Sequence, residues 1–232
     1  MRIYRKDLAR VHDAGFDASA RTAPFFLSLL RGRGIRSGLV VDLGCGGGRW
    51  ALALTRAGYE ALGVDISAEM VKLARRRAPK ARFLRGSLHA VRIPPCAAIT
   101  AFGEAAAYGA SEARLVRFFK KTARALRPGG VLLLDLRAPS PGKKPETRTA
   151  SVSARGWEVE AISVESLDKR FLTRTIVAVR SGKRSREVHR LALFRPAFVL
   201  AALRRAGFRA RTLRRYGSQP LPATLVGYLA TN

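Results

Sequence analysis

The sequence predicts an α/β fold with a doubly wound, mostly parallel sheet and an added antiparallel β-meander. From residue 39 onward, short apolar strands alternate with amphipathic helices, and this alternation implies parallel strands joined by right-handed crossovers. The strands are apolar throughout, as is typical of strands covered on both faces. With 232 residues, 47% of them hydrophobic, the chain is long enough for one sizeable domain.

The first half of the chain begins with a predicted helix. Apolar residues at positions 25, 26, 29 and 30 recur at helical spacing, so this helix is expected to pack against the sheet. Ser67 is a predicted N-cap, and Pro79 ends the helix that Ser67 begins. The expected strands are 39–43, 60–64, 82–85 and 97–102, and the expected helices are 48–57, 67–77 and 112–126.

The second half contains a fifth buried strand over residues 131–136, after a turn at 127–130. Residues 138–149 hold three prolines and a glycine, which indicates an exposed loop. Three alternating stretches then predict a three-stranded meander, 157–165, 170–180 and 186–194, within an inserted segment of residues 150–195. The chain is expected to end with a helix over 196–206 and strands over 208–216 and 224–230.

A glycine cluster follows the first predicted strand. Gly44 and Gly46 allow the backbone to turn tightly and to approach a ligand at the N-terminus of the next helix. The second strand ends at Asp65, whose carboxylate can accept both hydroxyls of a ribose. The pattern therefore predicts a ligand that contains a nucleoside.

Two known patterns share this layout, and two residues separate them. The dinucleotide fingerprint Gly-x-Gly-x-x-Gly needs a third glycine where this chain has Arg49, and it lacks the acid that stands here as Asp42. The stretch Val-Asp-Leu-Gly-Cys-Gly-Gly-Gly resembles the first motif of class I S-adenosylmethionine-dependent methyltransferases. That resemblance implies a Rossmann-like seven-stranded sheet, mostly parallel with an antiparallel final strand. It also implies S-adenosylmethionine as cofactor and S-adenosylhomocysteine as product.

The resemblance implies a cofactor site made from the strand ends and an N-terminal lid over residues 1–38. Asp42 and the glycine loop would lie at the methionine part, Asp65 at the ribose, and the third strand's end at the adenine. Tyr4 and His12 would belong to the lid. The implied cofactor-binding residues are Tyr4, His12, Asp42, Gly44, Cys45, Gly46, Trp50, Asp65, Ile66, Met70, Ser87, Leu88, Phe102 and Gly103.

Three residues are candidates for catalysis. Glu104 follows the fourth strand and either holds the amino acid part of the cofactor, orients the acceptor, acts as general base, or serves as a helix cap or salt-bridge partner. Tyr108 is either pocket wall or packing, and His189 in the meander faces either the acceptor or water. His89 is expected at the surface. No residues have metal-ligand spacing, and Cys45 and Cys96 are expected to be free thiols.

A narrower resemblance is to a group of small stand-alone bacterial methyltransferases whose acceptors are mostly unassigned. The shared features include the Tyr-Gly-Ser-Gln-Pro-Leu-Pro stretch near the end of the chain. The chain departs from this group at Ala97, where an aspartate is usual, and at Ala107, where an Asn-Tyr pair is expected. The loss of a polar group at Ala107 keeps open a protein that binds the cofactor without catalysis.

The net charge of +28 bears on the acceptor. Such an excess of basic residues attracts polyanions, so RNA is a candidate beside a small-molecule acceptor, which is the leading hypothesis. No stretch reaches the roughly 18 apolar residues of a membrane span. We therefore expect a cytoplasmic protein that is a monomer or homodimer and has no membrane partner.

Overall fold

The computed structural model describes residues 3–15, 19–140, 146–153, 158–167, 170–180 and 183–232. Six helices and thirteen strands lie within this part of the chain. The helices are α1 Lys6–Gly15, α2 Ser19–Gly32, α3 Arg49–Arg56, α4 Ala68–Arg77, α5 Glu112–Ala125 and α6 Pro196–Arg205, with a short 3-10 helix at Ala105–Ala107. The strands are β1 Leu39–Leu43, β2 Glu60–Asp65, β3 Arg82–Arg85, β4 Cys96–Ala101, β5 Leu126–Arg137, β6 Glu146–Ser153, β7 Glu158–Leu167, β8 Phe171–Arg180, β9 Lys183–Ala192, β10 Arg209–Leu213, β11 Arg215–Tyr216, β12 Gln219–Pro220 and β13 Leu225–Thr231.

Seven strands form the central sheet in the order β10-β13-β5-β4-β1-β2-β3. The strands from β5 to β3 are parallel, whereas β13 is antiparallel to both of its neighbours, β5 and β10. This confirms the predicted sheet with its antiparallel final strand. The strand order reverses between β1 and β4, and in open α/β sheets ligands bind at the carboxyl ends of the strands beside such a reversal.

The sheet is buried on both faces, which explains the uninterrupted apolar strands. Alternate residues of β1 belong to opposite core clusters: Val41 and Leu43 pack with Phe118 and Phe119 of α5, and Val40 packs with Trp50 and Leu54 of α3. Ser67 caps α4 by accepting a hydrogen bond from the amide of Met70 at 3.2 Å, as predicted. The cap of α4 and the two core clusters hold in place the strand ends that form the site.

A second sheet corrects the predicted meander. It has four antiparallel strands, β6-β7-β8-β9, and the additional strand β6 begins at Glu146, inside the stretch that was predicted to be a loop. The loop prediction came from prolines at 139, 141 and 145, all of which precede the strand. Residues 146–153 are rich in threonine and serine and pair with β7 along their whole length. Residues 141–145 and Trp157 lie outside the described part of the chain.

Further differences lie at the ends of the chain. The N-terminal region holds α1 in addition to the predicted helix, and the predicted strand 208–216 divides into β10 and β11, of which β11 pairs with β12 in a small hairpin. Within the described ranges, no helix is long and apolar enough to cross a bilayer. The two cysteines are buried and free.

Candidate active site

A cleft of about 720 Å³, counting its open mouth, lies at the carboxyl ends of β1, β2, β3 and β4. Most of the predicted cofactor-binding residues lie in its wall. The lining residues are Ile3, Tyr4, His12, Gly44, Gly46, Val64, Asp65, Ile66, Met70, Gly86, Ser87, Leu88, His89, Phe102, Gly103, Ala105 and Tyr108.

The glycine loop forms one wall of the cleft. The amide of Gly44 donates to the carbonyl oxygen of Val64 at 2.7 Å, which joins the loop to β2. A Cβ atom on Gly44 would lie 2.4 Å from the Cβ of Ala105, whereas a Cβ on Gly46 would meet no atom within 4 Å. Gly44 is therefore required for packing, and Gly46 leaves open space on the cleft side.

Asp65 connects the loop to the start of α4. Its two carboxylate oxygens accept hydrogen bonds from the amides of Gly46 at 2.9 Å and Ser67 at 2.8 Å. Burial raises the pKa of Asp65, and these backbone hydrogen bonds act in the opposite direction. A carboxylate has about four acceptor positions, so Asp65 retains capacity for hydroxyl groups in the cleft.

Three predicted residues, Asp42, Cys45 and Trp50, support the loop from below and are not part of the cleft wall. The indole nitrogen of Trp50 donates to the Thr100 hydroxyl at 3.1 Å, and that hydroxyl donates to Asp42 at 2.8 Å. Cys45 is buried, and burial raises the pKa of its thiol well above the usual value. All three side chains are buried beneath the loop, and their predicted contact with the cofactor stays a prediction.

The adenine end contains the predicted Ile66, Met70, Ser87 and Leu88, and also His89. His89 was expected at the surface, but its Nε2 lies 3.2 Å from the carbonyl oxygen of Tyr108. Burial lowers the pKa of His89 to about 4. The imidazole is therefore neutral at physiological pH and forms part of the wall.

The N-terminal residues close over the cleft. Tyr4 has a left-handed backbone with φ of 50°, and its carbonyl oxygen accepts a hydrogen bond from the Ser67 hydroxyl at 2.8 Å. At the other end of α1, Asp13 forms a two-pronged salt bridge with Arg77 of α4, with both distances 2.6 Å. Arg77 also donates to the carbonyl oxygen of Gly47. The N-terminal segment is thus attached at one end to Ser67 and at the other end to Arg77, which itself contacts the glycine loop.

Glu104 lies outside the cleft wall and forms two salt bridges. Its carboxylate accepts hydrogen bonds from Arg137 and, at 3.1 Å, from Arg174, while its own amide donates to Asp135 at 2.7 Å. Burial raises the pKa of Glu104, but the two guanidinium groups outweigh burial and lower it. Of the alternatives weighed from the sequence, this geometry favours the salt-bridge partner over the general base.

Tyr108 and His189 form a hydrogen-bonded pair behind the cleft. The Tyr108 hydroxyl lies 3.1 Å from Nδ1 of His189, and it lies 3.3 Å from the Tyr4 hydroxyl. Nε2 of His189 lies 3.1 Å from a carboxylate oxygen of Glu187, and the His189 side chain is fully buried. Tyr108 is therefore part of the wall, and His189 lies behind it, in contact with both Tyr108 and the Tyr4 ring at a centroid distance of 4.7 Å.

Comparison with known proteins shows which enzymes this chain is similar to. Residues 40–130 match the model of a methyltransferase domain. The chain is 26% identical to dTDP-3-amino-3,4,6-trideoxy-alpha-D-glucopyranose N,N-dimethyltransferase of Streptomyces venezuelae, over 91% of this chain and 94% of that protein. Residues 40–130 are thus similar to a methyltransferase domain, and the whole chain shares the fold of a solved S-adenosylmethionine-dependent methyltransferase from Clostridium acetobutylicum, with a TM-score of 0.81 at 18% identity over 96% of each chain.

Two solved structures show how far the fold of this chain is shared. DesVI of Streptomyces venezuelae has a TM-score of 0.83 at 22% identity and covers 98% of this chain and 99% of its own. CalS10, an amino pentose methyltransferase from Micromonospora echinaspora solved with S-adenosylmethionine bound, has a TM-score of 0.80 at 18% identity and covers 100% of this chain and 98% of its own. The similarity therefore extends beyond the matched domain to the N-terminal helices and the second sheet.

Several residues of the candidate site were not predicted from the sequence. Glu187 is one of them, although its position two residues before His189 on a strand places both on the same face. Asp13 and Arg77 are 64 residues apart, and no local pattern indicates their pairing. His89 also lacked a signal, because its burial depends on the distant Tyr108.

Proposed function

We propose that this methyltransferase transfers a methyl group to an amine nitrogen of a small polar acceptor, and that an amino sugar is the favoured class. One observation carries the proposal: Tyr108 lines the cleft, and its hydroxyl is hydrogen bonded to Nδ1 of the buried His189. The names of the Streptomyces venezuelae relative and of CalS10 support an amino sugar.

The donor side of the cleft fits S-adenosylmethionine. Gly46 provides a wall without a side chain, and the carboxylate of Asp65 stands beside it to hold ribose hydroxyls. Ile66 and Met70 offer apolar surface for the adenine, and Ser87 and Leu88 offer polar groups at its edge. When bound, the cofactor supplies an electrophilic methyl group on a sulfonium.

The acceptor side requires alignment and the removal of one proton. We infer that the acceptor nitrogen lies beside Tyr108, with residues 3–12 and the β8–β9 strands forming the roof. When the nitrogen forms its new bond to the methyl carbon, the bond from that carbon to sulfur would break and S-adenosylhomocysteine would be the leaving group. The nitrogen would lose a proton to the Tyr108 oxygen, while Tyr108 would pass its own proton to Nδ1 of His189. Orientation in a site closed to water provides most of the remaining rate enhancement.

The two alternative functions, methylation of RNA and cofactor binding without catalysis, receive less support. A cleft covered by N-terminal residues, with apolar residues such as Ile3 and Phe102 in its wall, suits a small acceptor better than a strand of RNA. The link between Tyr108 and His189 speaks against a protein that only binds the cofactor. We expect the enzyme to act in the cytoplasm as a monomer or homodimer.

The test is an acceptor screen in which formation of S-adenosylhomocysteine is measured by mass spectrometry. The panel contains free and nucleoside-diphosphate-linked amino sugars, with matched hydroxyl sugars and carboxylic acids as comparison. With the acceptor found, Tyr108→Phe should lower kcat about 100-fold and leave the KM for S-adenosylmethionine within about threefold. Turnover only with hydroxyl or carboxylate acceptors would refute the amine assignment.

Tyr228→Phe is the matched control. Tyr228 is fully buried, and its hydroxyl has no hydrogen-bond partner within the described ranges. This variant should keep the kcat of the wild type. If Tyr108→Phe also keeps it with an established acceptor, Tyr108 is not on the proton path.

A further inference from the structure

Glu187 is a buried carboxylate on a strand whose neighbouring side chains are exposed. Its residue is 5% exposed, whereas Val188 is 48% exposed. Burial of a carboxylate is unfavourable unless hydrogen bonds and charges compensate for the loss of water. The hydrogen bonds that Glu187 accepts therefore indicate the role of this residue.

The first set of these bonds comes from the N-terminal segment. The amide of Tyr4 donates to Oε2 of Glu187 at 2.7 Å, and the amide of Arg5 donates to Oε1 at 2.8 Å. Two successive amides that converge on one anion form a backbone nest, and the left-handed backbone of Tyr4 is typical of such nests. Nε of Arg5 adds a third bond at 3.2 Å.

The second set comes from His189 and fixes its tautomer. An ionised carboxylate can only accept, so Nε2 of His189, at 3.1 Å from Glu187, carries the hydrogen. Nδ1 of the neutral imidazole is then an acceptor, and the Tyr108 hydroxyl donates to it. Burial raises the pKa of Glu187, but the bonds from His189, Arg5 and Tyr4 outweigh it and hold that pKa below its usual value.

The same N-terminal residue also contacts the donor side of the cleft. The Ser67 hydroxyl donates to the carbonyl oxygen of Tyr4 at 2.8 Å, and the Ser67 amide donates to Asp65 at 2.8 Å. Tyr4 therefore lies between the acid of the donor site and the carboxylate that orients His189. A continuous set of hydrogen bonds joins the two halves of the cleft through this one residue.

We propose that Glu187 is a positioning residue that couples docking of the N-terminal segment over the cleft to the tautomer of His189 that Tyr108 requires. When the segment is docked, Glu187 is buried and holds the hydrogen of His189 on Nε2. When the segment leaves, Glu187 is exposed to water and no longer fixes the imidazole. Proton acceptance is thereby restricted to the closed site. The role assigned to Tyr108 rests on the proposed function, but the link between Glu187, the segment and His189 does not.

The test uses Glu187→Gln in the full-length protein, with Glu60→Gln as the matched control because Glu60 forms an exposed salt bridge with Arg82 at 3.8 Å. A carboxamide has one acceptor oxygen where the carboxylate has two, so it cannot serve His189 and both amides together. Hydrogen exchange of the peptide that contains Tyr4 and Arg5 should become about tenfold faster in Glu187→Gln and stay unchanged in the control. Glu187→Asp, which keeps the charge, should restore part of the protection if Glu187→Gln unfolds.

The second measurement is the tautomer of His189, followed by nitrogen NMR and assigned with His189→Asn. The wild type and Glu60→Gln should show hydrogen on Nε2, and Glu187→Gln should show a mixture, because a carboxamide can also donate. Unchanged exchange would show that Glu187 does not hold the segment, and an unchanged tautomer would show that it does not orient His189; either result overturns the coupling. Both measurements are made with and without S-adenosylhomocysteine. Failure of that probe to bind would refute the donor site while leaving the test of Glu187 intact.

Discussion

Replacement of Gly44 by alanine should destabilise the glycine loop itself, whether or not a ligand is bound. Gly44 has a φ of 86°, and the new methyl group would lie 2.4 Å from the Cβ of Ala105. A non-glycine residue in a left-handed conformation costs about 1–2 kcal/mol, and overpacking a core costs about 1–3 kcal/mol more. The free energy of unfolding, measured by urea denaturation, should therefore fall by about 2–5 kcal/mol in Gly44→Ala.

Gly46→Ala provides the comparison that separates packing from binding. Gly46 also has a positive φ, 51°, but its new methyl group would meet no atom within 4 Å and would project into the cleft. The free energy of unfolding should fall only by the conformational cost of about 1–2 kcal/mol. The variant should nevertheless bind S-adenosylhomocysteine about tenfold more weakly in calorimetry. Equal losses of stability in the two variants, or wild-type affinity in Gly46→Ala, would refute the assignment of the loop.

Three further predictions concern stability and closure. Burial raises the pKa of Asp135 to about 6, so this carboxyl group stays protonated to a higher pH in the folded state than in the unfolded chain. The free energy of unfolding should therefore fall by about 3 kcal/mol as the pH rises from about 4 to about 6. Urea titrations at several pH values should show this decline in the wild type and its absence in Asp135→Asn. The pKa of Glu104 is lowered in spite of burial, so its contribution to stability is present at neutral pH and lost on acidification; Glu104→Gln should cost about 3–5 kcal/mol at pH 7, since it removes the carboxylate that neutralises the buried guanidinium of Arg137 and the partly buried guanidinium of Arg174, and much less in acid. Arg77→Met should release Asp13 and speed hydrogen exchange of α1 while the exchange of β1 stays unchanged, and equal protection of α1 in variant and wild type would show that this salt bridge does not hold the segment.

The parts of the fold that were predictable from sequence are those with local patterns. The apolar run of β1, the glycine loop and Asp65 lie within 27 residues of one another, and their spacing alone indicated the strand, the turn and the ligand class. The N-cap Ser67 was equally local. The strand β6 was missed because its polar, threonine-rich sequence follows a proline-rich stretch, and only pairing with β7 makes it a strand.

The site was predictable where a residue faces the cleft directly from a strand end. Glu104 shows the limit of such reasoning, because its partners Arg137 and Arg174 are 33 and 70 residues away and decide whether it is a base or a salt bridge. Glu187 shows the same limit, since its two amide donors lie more than 180 residues before it. Contacts of this kind depend on how the N-terminal segment and the second sheet meet, which no periodicity encodes.

Calorimetric titration of the wild type and Asp65→Ala with S-adenosylhomocysteine tests the central claim most directly. Asp65 stands beside Gly46, where the proposal places the ribose, and it is the one acid of the loop region that lines the cleft wall. Loss of hydrogen bonds to a charged acceptor should weaken binding about 10- to 100-fold. The account predicts one site for each chain in the wild type and this loss of affinity in the variant. No binding to the wild type, or equal affinity in Asp65→Ala, would contradict it.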